Sequence, residues 1–297
     1  MLTTSSNRLA GLLTWTLALT FLLVVWGGVV RLSGSGLAIP DWPLAHGKLL
    51  PKAHPNILIE YGHRFIAMLV GFSTLAVAIL VFRSSPARRG SLFGLTIAAL
   101  ITLALQVFMG GRVVLEELPV DRVVAHLLLA FTFFAILLLM RLKVGEERAH
   151  TAPSDPRARG LARFAHLAAG LVFLQAGLGA WVSSSGAALA CPDFPTCQGT
   201  WLPHMEGLVG IHYAHRLGAY TVVLVVLGLL IAAAPVRLPG RARWPLRFSG
   251  ILLATQFVLG VANVLGRVPL PVSAAHLGTA LVLFGTLLTA AHELRRA

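Results

Sequence analysis

Four histidines carry most of the chemistry this sequence offers. His63 and His126 lie in two apolar runs of the first half, His215 and His276 in two of the second. Ionisable groups inside such runs are costly and mark functional sites by default. Two neutral imidazoles on facing helices, with an apolar slot between them, are the axial ligand set of a bis-His heme. A lone histidine would as readily make a hydrogen bond between helices; two repeated pairs favour ligation. Zinc is disfavoured, because neither pair sits in a compact cluster of three or four ligands. Small residues near the histidines (Gly62, Ala67, Ala125, Ala214, Gly218, Ala275, Gly278) are predicted to leave room for a flat macrocycle. Arg64 and Arg216, each beside a histidine, are predicted to neutralise propionates, since guanidinium pairs well with carboxylate. Glu60 precedes His63 by three residues and shares its helical face. A carboxylate in that low-dielectric setting is a candidate proton carrier or stabiliser of positive charge. The alternative is a helix N-terminal Glu favoured by the macrodipole. The matching residue of the second half is His212, a neighbour of the ligand or an alternative one, ranked below His215.

The elements that position these residues follow from composition. The 297 residues are 57% hydrophobic and 12% charged, with a mean hydropathy of +0.81. Soluble domains carry about 25% charged residues, so a disordered chain or an ordinary soluble enzyme is excluded. The net charge of +13 and pI near 11.4 would suit a nucleic-acid binder. The charges, however, sit in short clusters between apolar runs long enough to span a bilayer. Eight spans are expected, near 9–31, 57–82, 91–113, 121–141, 161–183, 208–233, 246–266 and 271–293. The first is read as a retained helix, its apolar stretch being too long for a signal-peptide core. Sixteen Lys and Arg fall on the two termini and the loops near 83–90, 141–163 and 234–247, against six on the opposite loops. The positive-inside rule then places both termini in the cytoplasm. Cys191 and Cys197, six residues apart, lie in an opposite loop. A disulfide closing a short loop on the oxidising face is favoured over two free thiols or half of a metal site.

A duplication organises the chain. Shifted by 152, residues 27–67 align without a gap on 179–219, with 16 of 41 positions identical. Shifted by 150, Gln106 meets Gln256, Gly110 meets Gly260, Pro119 meets Pro269 and His126 meets His276. The expected fold is an all-α integral membrane protein of eight transmembrane helices, arranged as two tandem four-helix bundles related by a pseudo-twofold axis along the membrane normal. The units are residues 1–142 and 161–297, joined by a cytoplasmic linker over 143–160. In each, one histidine lies about seven residues into the second helix and one about five into the fourth. All four therefore sit at similar depth in the outer half of the membrane. The first unit, with a carboxylate near its pair, is the one equipped for chemistry. The other unit, with a cysteine pair and no such carboxylate, is suited to holding a fixed cofactor.

The motifs GSGLAIPDWP (34–43), EYGHR (60–64), CPDFPTC (191–197), His126, the His215–Arg216 pair and His276 together resemble the heme A synthase family over essentially the whole chain. The resemblance implies a cytoplasmic-membrane oxidoreductase that oxidises a methyl group of heme O to the formyl group of heme A for cytochrome oxidase. It implies successive oxidations through an alcohol and a hydrated aldehyde. It further implies a heme b ligated by His215 and His276 in the second unit, and substrate heme facing His63 and His126 in the first, with Glu60 as an important carboxylate. Partners expected on this basis are heme O, the lipid bilayer, a heme O synthase and an electron donor; a homo-oligomer is compatible with it and nucleic acid is not expected. The chain departs from some family members in carrying Ile39 and Ala45 where they have a first-loop cysteine pair. Two other readings of the residues are a di-heme electron-transfer cytochrome and a heme transporter or chaperone.

Overall fold

A computed structural model describes residues 2–48, 54–146 and 156–297. Half of the expected linker, with His150 and Pro153, lies outside them, as does Lys52. Among the described residues eight α-helices account for nearly all of the structure and no strand longer than an isolated bridge occurs. They are α1 (Leu2–Leu32), α2 (Pro55–Phe82), α3 (Pro86–Leu115), α4 (Val120–Glu146), α5 (Pro156–Ser184), α6 (Gly207–Ala233), α7 (Gly240–Leu265) and α8 (Leu270–Leu294). All eight are long and apolar enough to cross a membrane, and the chain is a multi-pass membrane protein. Several helices extend beyond the apolar runs at the end away from the histidines: α7 begins six residues before its expected start and α4 ends five after its expected end. Hydropathy stops where charge begins, whereas helical hydrogen bonding continues through Arg241, Arg243 and Lys143. Prolines open α2, α3 and α5, where a missing N–H costs nothing.

The chain divides into two compact units, Met1–Ala149 and His150–Ala297. In the first, each helix packs on its chain neighbours and α1 closes on α4. The second repeats the plan with α5 closing on α8. Helices α2 and α4 therefore stand diagonally across the first bundle, and α6 and α8 across the second. Tight packing is concentrated in the half of each bundle away from the histidines. In the first unit Leu9, Leu13, Val77, Val81, Leu92, Phe133, Leu137 and Met140 form one buried cluster. In the second, alanines at 158, 162, 165, 168 and 169 let α5 approach its neighbours closely, against Leu287, Ala290 and Ala291 of α8. Buried hydroxyls in these apolar stretches are satisfied within their own helices, as when Thr20 donates to the carbonyl of Thr16 and Thr74 to that of Val70.

Candidate functional site

The ends of the bundles nearer the histidines are closed by two loops built from the same contacts. Each begins with a glycine in the left-handed region, Gly34 (φ 70°) after α1 and Gly186 (φ 79°) after α5, where a side chain would be strained. Each contains a cis proline, Pro43 and Pro195. In the first loop the Asp41 carboxylate accepts the N–H groups of His46 (2.7 Å) and Gly47 (2.8 Å). In the second, Asp193 accepts those of Gln198 (2.7 Å) and Gly199 (2.9 Å), and the Thr196 hydroxyl as well. The N–H groups of Gly47 and His46 hold the Asp41 carboxyl below its ordinary range. The Thr196 hydroxyl, with the Gly199 N–H, holds Asp193 down to about 2.

Both arginines that follow the first histidine of each unit turn back onto these loops. Arg64 donates to the carbonyls of Ile39, Asp41 and Leu44, each at 2.9 Å. Arg216 donates to those of Cys191 (2.8 Å), Asp193 (2.8 Å) and Thr196 (2.7 Å), which are the repeat mates of the same three residues. Spacing alone suggested propionate partners; in the structure the terminal nitrogens of both side chains lie on backbone carbonyls, and Arg64 Nη2 on the Glu60 carboxylate as well. Arg216 keeps Nε buried without a partner.

Cys191 and Cys197 are joined in a disulfide, with Cα atoms 4.6 Å apart. Their repeat mates Ile39 and Ala45 are buried like them, so two buried apolar side chains stand in one loop where a covalent bond stands in the other. Glu60 is only 3% exposed; it accepts the Ile39 N–H at 2.8 Å and pairs with Arg64 at 2.7 Å. His212 lies 2.9 Å through Nδ1 from the Ala187 carbonyl. The two repeat mates thus perform a common task, tying the second helix of a unit to its loop.

Below the loops the four histidines take matched positions. His63 and His215 are the ninth residues of α2 and α6, and His126 and His276 the seventh of α4 and α8. At a rise of about 1.5 Å per residue, each lies roughly two turns inside its helix. Each ring rests on a glycine of an adjacent helix: His63 on Gly27, His126 on Gly110, His215 on Gly179 and His276 on Gly260. A Cβ at these glycines would come within 3.0–3.3 Å of the imidazole Cε1. Hydropathy could not show this, although the repeat aligns Gly27 with Gly179 and Gly110 with Gly260.

Glutamines are the other partners that sequence reasoning missed. The Gln175 amide nitrogen lies 2.9 Å from His215 Nδ1 and 2.7 Å from the His215 carbonyl. With its nitrogen turned toward α4, Gln106 reaches the same two atoms of His126, both at 3.0 Å. Gln256 lies 3.3 Å from His276 Nε2. The expected open space at two small residues is filled by protein: the Trp26 ring packs on Gly62 and the Gln175 side chain on Gly218.

The donor set fits a metalloporphyrin better than a bare ion. Among the described residues no group of three or more His, Cys, Asp or Glu is placed to hold a metal. A porphyrin brings four equatorial nitrogens of its own and asks the protein for two axial imidazoles. Diagonal helices provide one each, and Nδ1 of His63 and of His276 are buried without a hydrogen-bond partner.

Fold and site together define a multi-pass membrane protein with one histidine pair in each four-helix unit. The profile of the cytochrome oxidase assembly protein family matches residues 10–58 and 52–288. A heme A synthase of Symbiobacterium thermophilum is 34% identical over 278 residues, covering 91% of this chain and 90% of its own. Another, of Nitrosospira multiformis, is 31% identical across 94% of this chain and 91% of its own, and a third, of Shewanella oneidensis, 29% identical across 95% of both. The chain belongs to the heme A synthase family.

Proposed function

We propose that this protein is an oxidoreductase that converts a methyl group of heme O into the formyl group of heme A. In this reading residues 1–142 receive heme O between His63 and His126, and residues 161–297 hold a heme b between His215 and His276. The observation that supports it most is the recurrence, in each unit, of two imidazoles on diagonal helices, each seated on a glycine at matched depth. When bound, heme b supplies one-electron redox capacity, which side chains lack.

The protein's own groups then have separable tasks. His63 and His126 orient the substrate macrocycle from its two faces. Glu60, buried against Arg64 and the Ile39 N–H, sets a fixed negative charge at the loop end of α2 and can hold a proton there. Arg64 and Arg216 clamp the loops that exclude water above each pair. The free Nε of Arg216 remains for a heme b carboxylate. The bundles lie in the cytoplasmic membrane with both termini in the cytoplasm and the histidine ends outward, where a heme O synthase and an electron donor serve them.

Expression of the full chain in cells supplied with heme O, followed by extraction and chromatography of the hemes, tests the proposal. Heme A should appear only when the chain is present, and His63→Ala and His126→Ala should abolish it. Unchanged heme O beside two permanently bound hemes would instead identify an electron relay.

A further inference from the structure

The loop ends of the two units differ in charge. In the first, Arg64 Nη2 lies 2.7 Å from the Glu60 carboxylate, so an acid of the protein itself offsets its charge. In the second, the residue matching Glu60 is His212, which brings no carboxylate to Arg216. A tetrapyrrole carrying acid groups into the first unit therefore meets a pair that is already neutral. A second difference restores the balance. Arg31, in the last turn of α1, has Ser183 of α5 as its repeat mate.

The place of Arg31 follows from helix geometry. It comes four residues after Gly27, so it stands on the same face of α1, about 6 Å farther toward the loop. Gly27 is the seat of the His63 ring. Arg31 is thus half-buried one turn to the loop side of that imidazole. The opposite side of the histidines offers an acid group nothing: Leu9, Leu13, Val77, Val81, Phe133 and Leu137 form a closed apolar cluster there. A carboxylate turned that way would lose water and gain no donor. The acid edge of a macrocycle between His63 and His126 must therefore face the loop end. A guanidinium carries five N–H donors in a planar fork, so it can grip a carboxylate with two of them while others hold the protein.

We infer that Arg31 binds a carboxylate of the tetrapyrrole substrate and so fixes which edge of the macrocycle faces the loop, a contact that Ser183 does not reproduce in the second unit. The inference rests on the proposal that residues 1–142 handle heme O. It adds the group that recognises the acid substituents, a task that neither the two imidazoles nor the Glu60–Arg64 pair performs.

The test uses the purified full chain and two probes, heme O and its dimethyl ester, which differ in the charge of the acid groups. Binding of each is titrated by the Soret change. The wild-type chain should bind heme O about 10- to 100-fold more tightly than the ester, the scale for hydrogen bonds to a charged group. Arg31→Ser copies the second unit. It should weaken heme O binding by that factor and leave ester binding unchanged, erasing the preference. Arg31→Lys keeps the charge without the fork and should retain part of it. A merely structural role predicts equal losses for acid and ester. A wild-type chain indifferent to esterification overturns the inference alone, as does an Arg31→Ser chain that keeps the full preference or loses both probes alike. Heme O binding that survives unchanged in His63→Ala and in His126→Ala overturns the placement of substrate in the first unit, and the inference with it.

Discussion

Arg216 reaches in its loop the carbonyls of the same three positions that Arg64 reaches in its own. Cys191, Asp193 and Thr196 stand in one loop where Ile39, Asp41 and Leu44 stand in the other. A planar fork divides its donors between two terminal nitrogens, Nη1 on Thr196 and Nη2 on Cys191 and Asp193, a spread that the single nitrogen of an ammonium on a flexible stem lacks. Arg216→Lys should therefore release the 186–200 loop. Each charge-assisted bond contributes about 1.5–3 kcal/mol, so losing even one net bond should raise the opening rate of the loop about tenfold or more. Limited proteolysis within the loop, compared at equal protein, measures this; wild-type resistance would show that the clamp is incidental.

The disulfide should be replaceable by the solution the first loop already uses. Closing so short a loop contributes about 2 kcal/mol on the chain-entropy argument, and the Asp193 and Arg216 contacts hold the same segment independently. Cys191→Ile with Cys197→Ala copies Ile39 and Ala45. The double variant should keep the heme content and protease resistance of the parent. Collapse of either would assign the sulfurs a chemical task.

The two histidine pairs should separate in their effects. His215→Ala and His276→Ala should each abolish or severely weaken a low-spin heme b spectrum, because a bis-His site loses a ligand in both. His63→Ala and His126→Ala should leave that spectrum in place, since both rings belong to the other unit. Optical spectra of the purified variants decide the matter.

Glu60→Gln keeps the shape of the side chain and removes its charge. Heme A formation should fall by about 10²-fold, the usual scale for a positioned acid–base or electrostatic group. Heme b content should not change. Because the carboxylate also accepts the Ile39 N–H, protease resistance of the 34–48 loop should be measured on the same sample. Normal heme A yield would reduce Glu60 to a loop anchor.

Asp193 sets an acid limit on its loop. A carboxylate held down to about 2 contributes its full stabilisation above the ordinary carboxylate value of 3.8. That contribution is lost as pH falls from there through about 2. Hydrogen exchange at the Gln198 and Gly199 amides, corrected for intrinsic rates, should stay protected down to about pH 4 and accelerate only below it. Asp193→Asn should remove this pH dependence.

Much of the architecture was legible because membrane helices announce themselves twice, by hydropathy and by the duplication. The apolar runs placed all eight helices, and the repeat picked four histidines out of eleven. Helix ends were less legible, since Arg241 and Arg243 lie within α7 while reading as loop. The arginines show a deeper limit. A guanidinium next to a histidine in an apolar run reads as a partner for a charged substituent, and nothing in its spacing reveals that loops 20 to 25 residues upstream fold back onto it. The glutamines were visible as a repeated pair at 106 and 256, but their reach to a ring depends on helix rotation, which hydropathy does not encode. Gln175 was less legible still, because its repeat mate is Leu23 and no repeated pair draws attention to it.

The four glycines beneath the histidines give this protein an unusual map of mutational tolerance. Where a helix glycine faces open space, as at Gly71, Gly94 and Gly170, exchanging it for alanine strengthens the helix by roughly 0.5–1 kcal/mol. At residues 27, 110, 179 and 260 the added methyl group meets a ring that has nowhere to retreat without tilting away from its partner across the bundle. Among glycine-to-alanine exchanges scored by respiratory growth, these four should stand out from glycines with open space around them, such as Gly71, Gly94 and Gly170. At the four, alanine should be as damaging as larger residues, with the protein still abundant in the membrane. A chain in which the smallest substitution disables function while leaving folding intact has its selective constraint written in hydrogen atoms rather than in side chains.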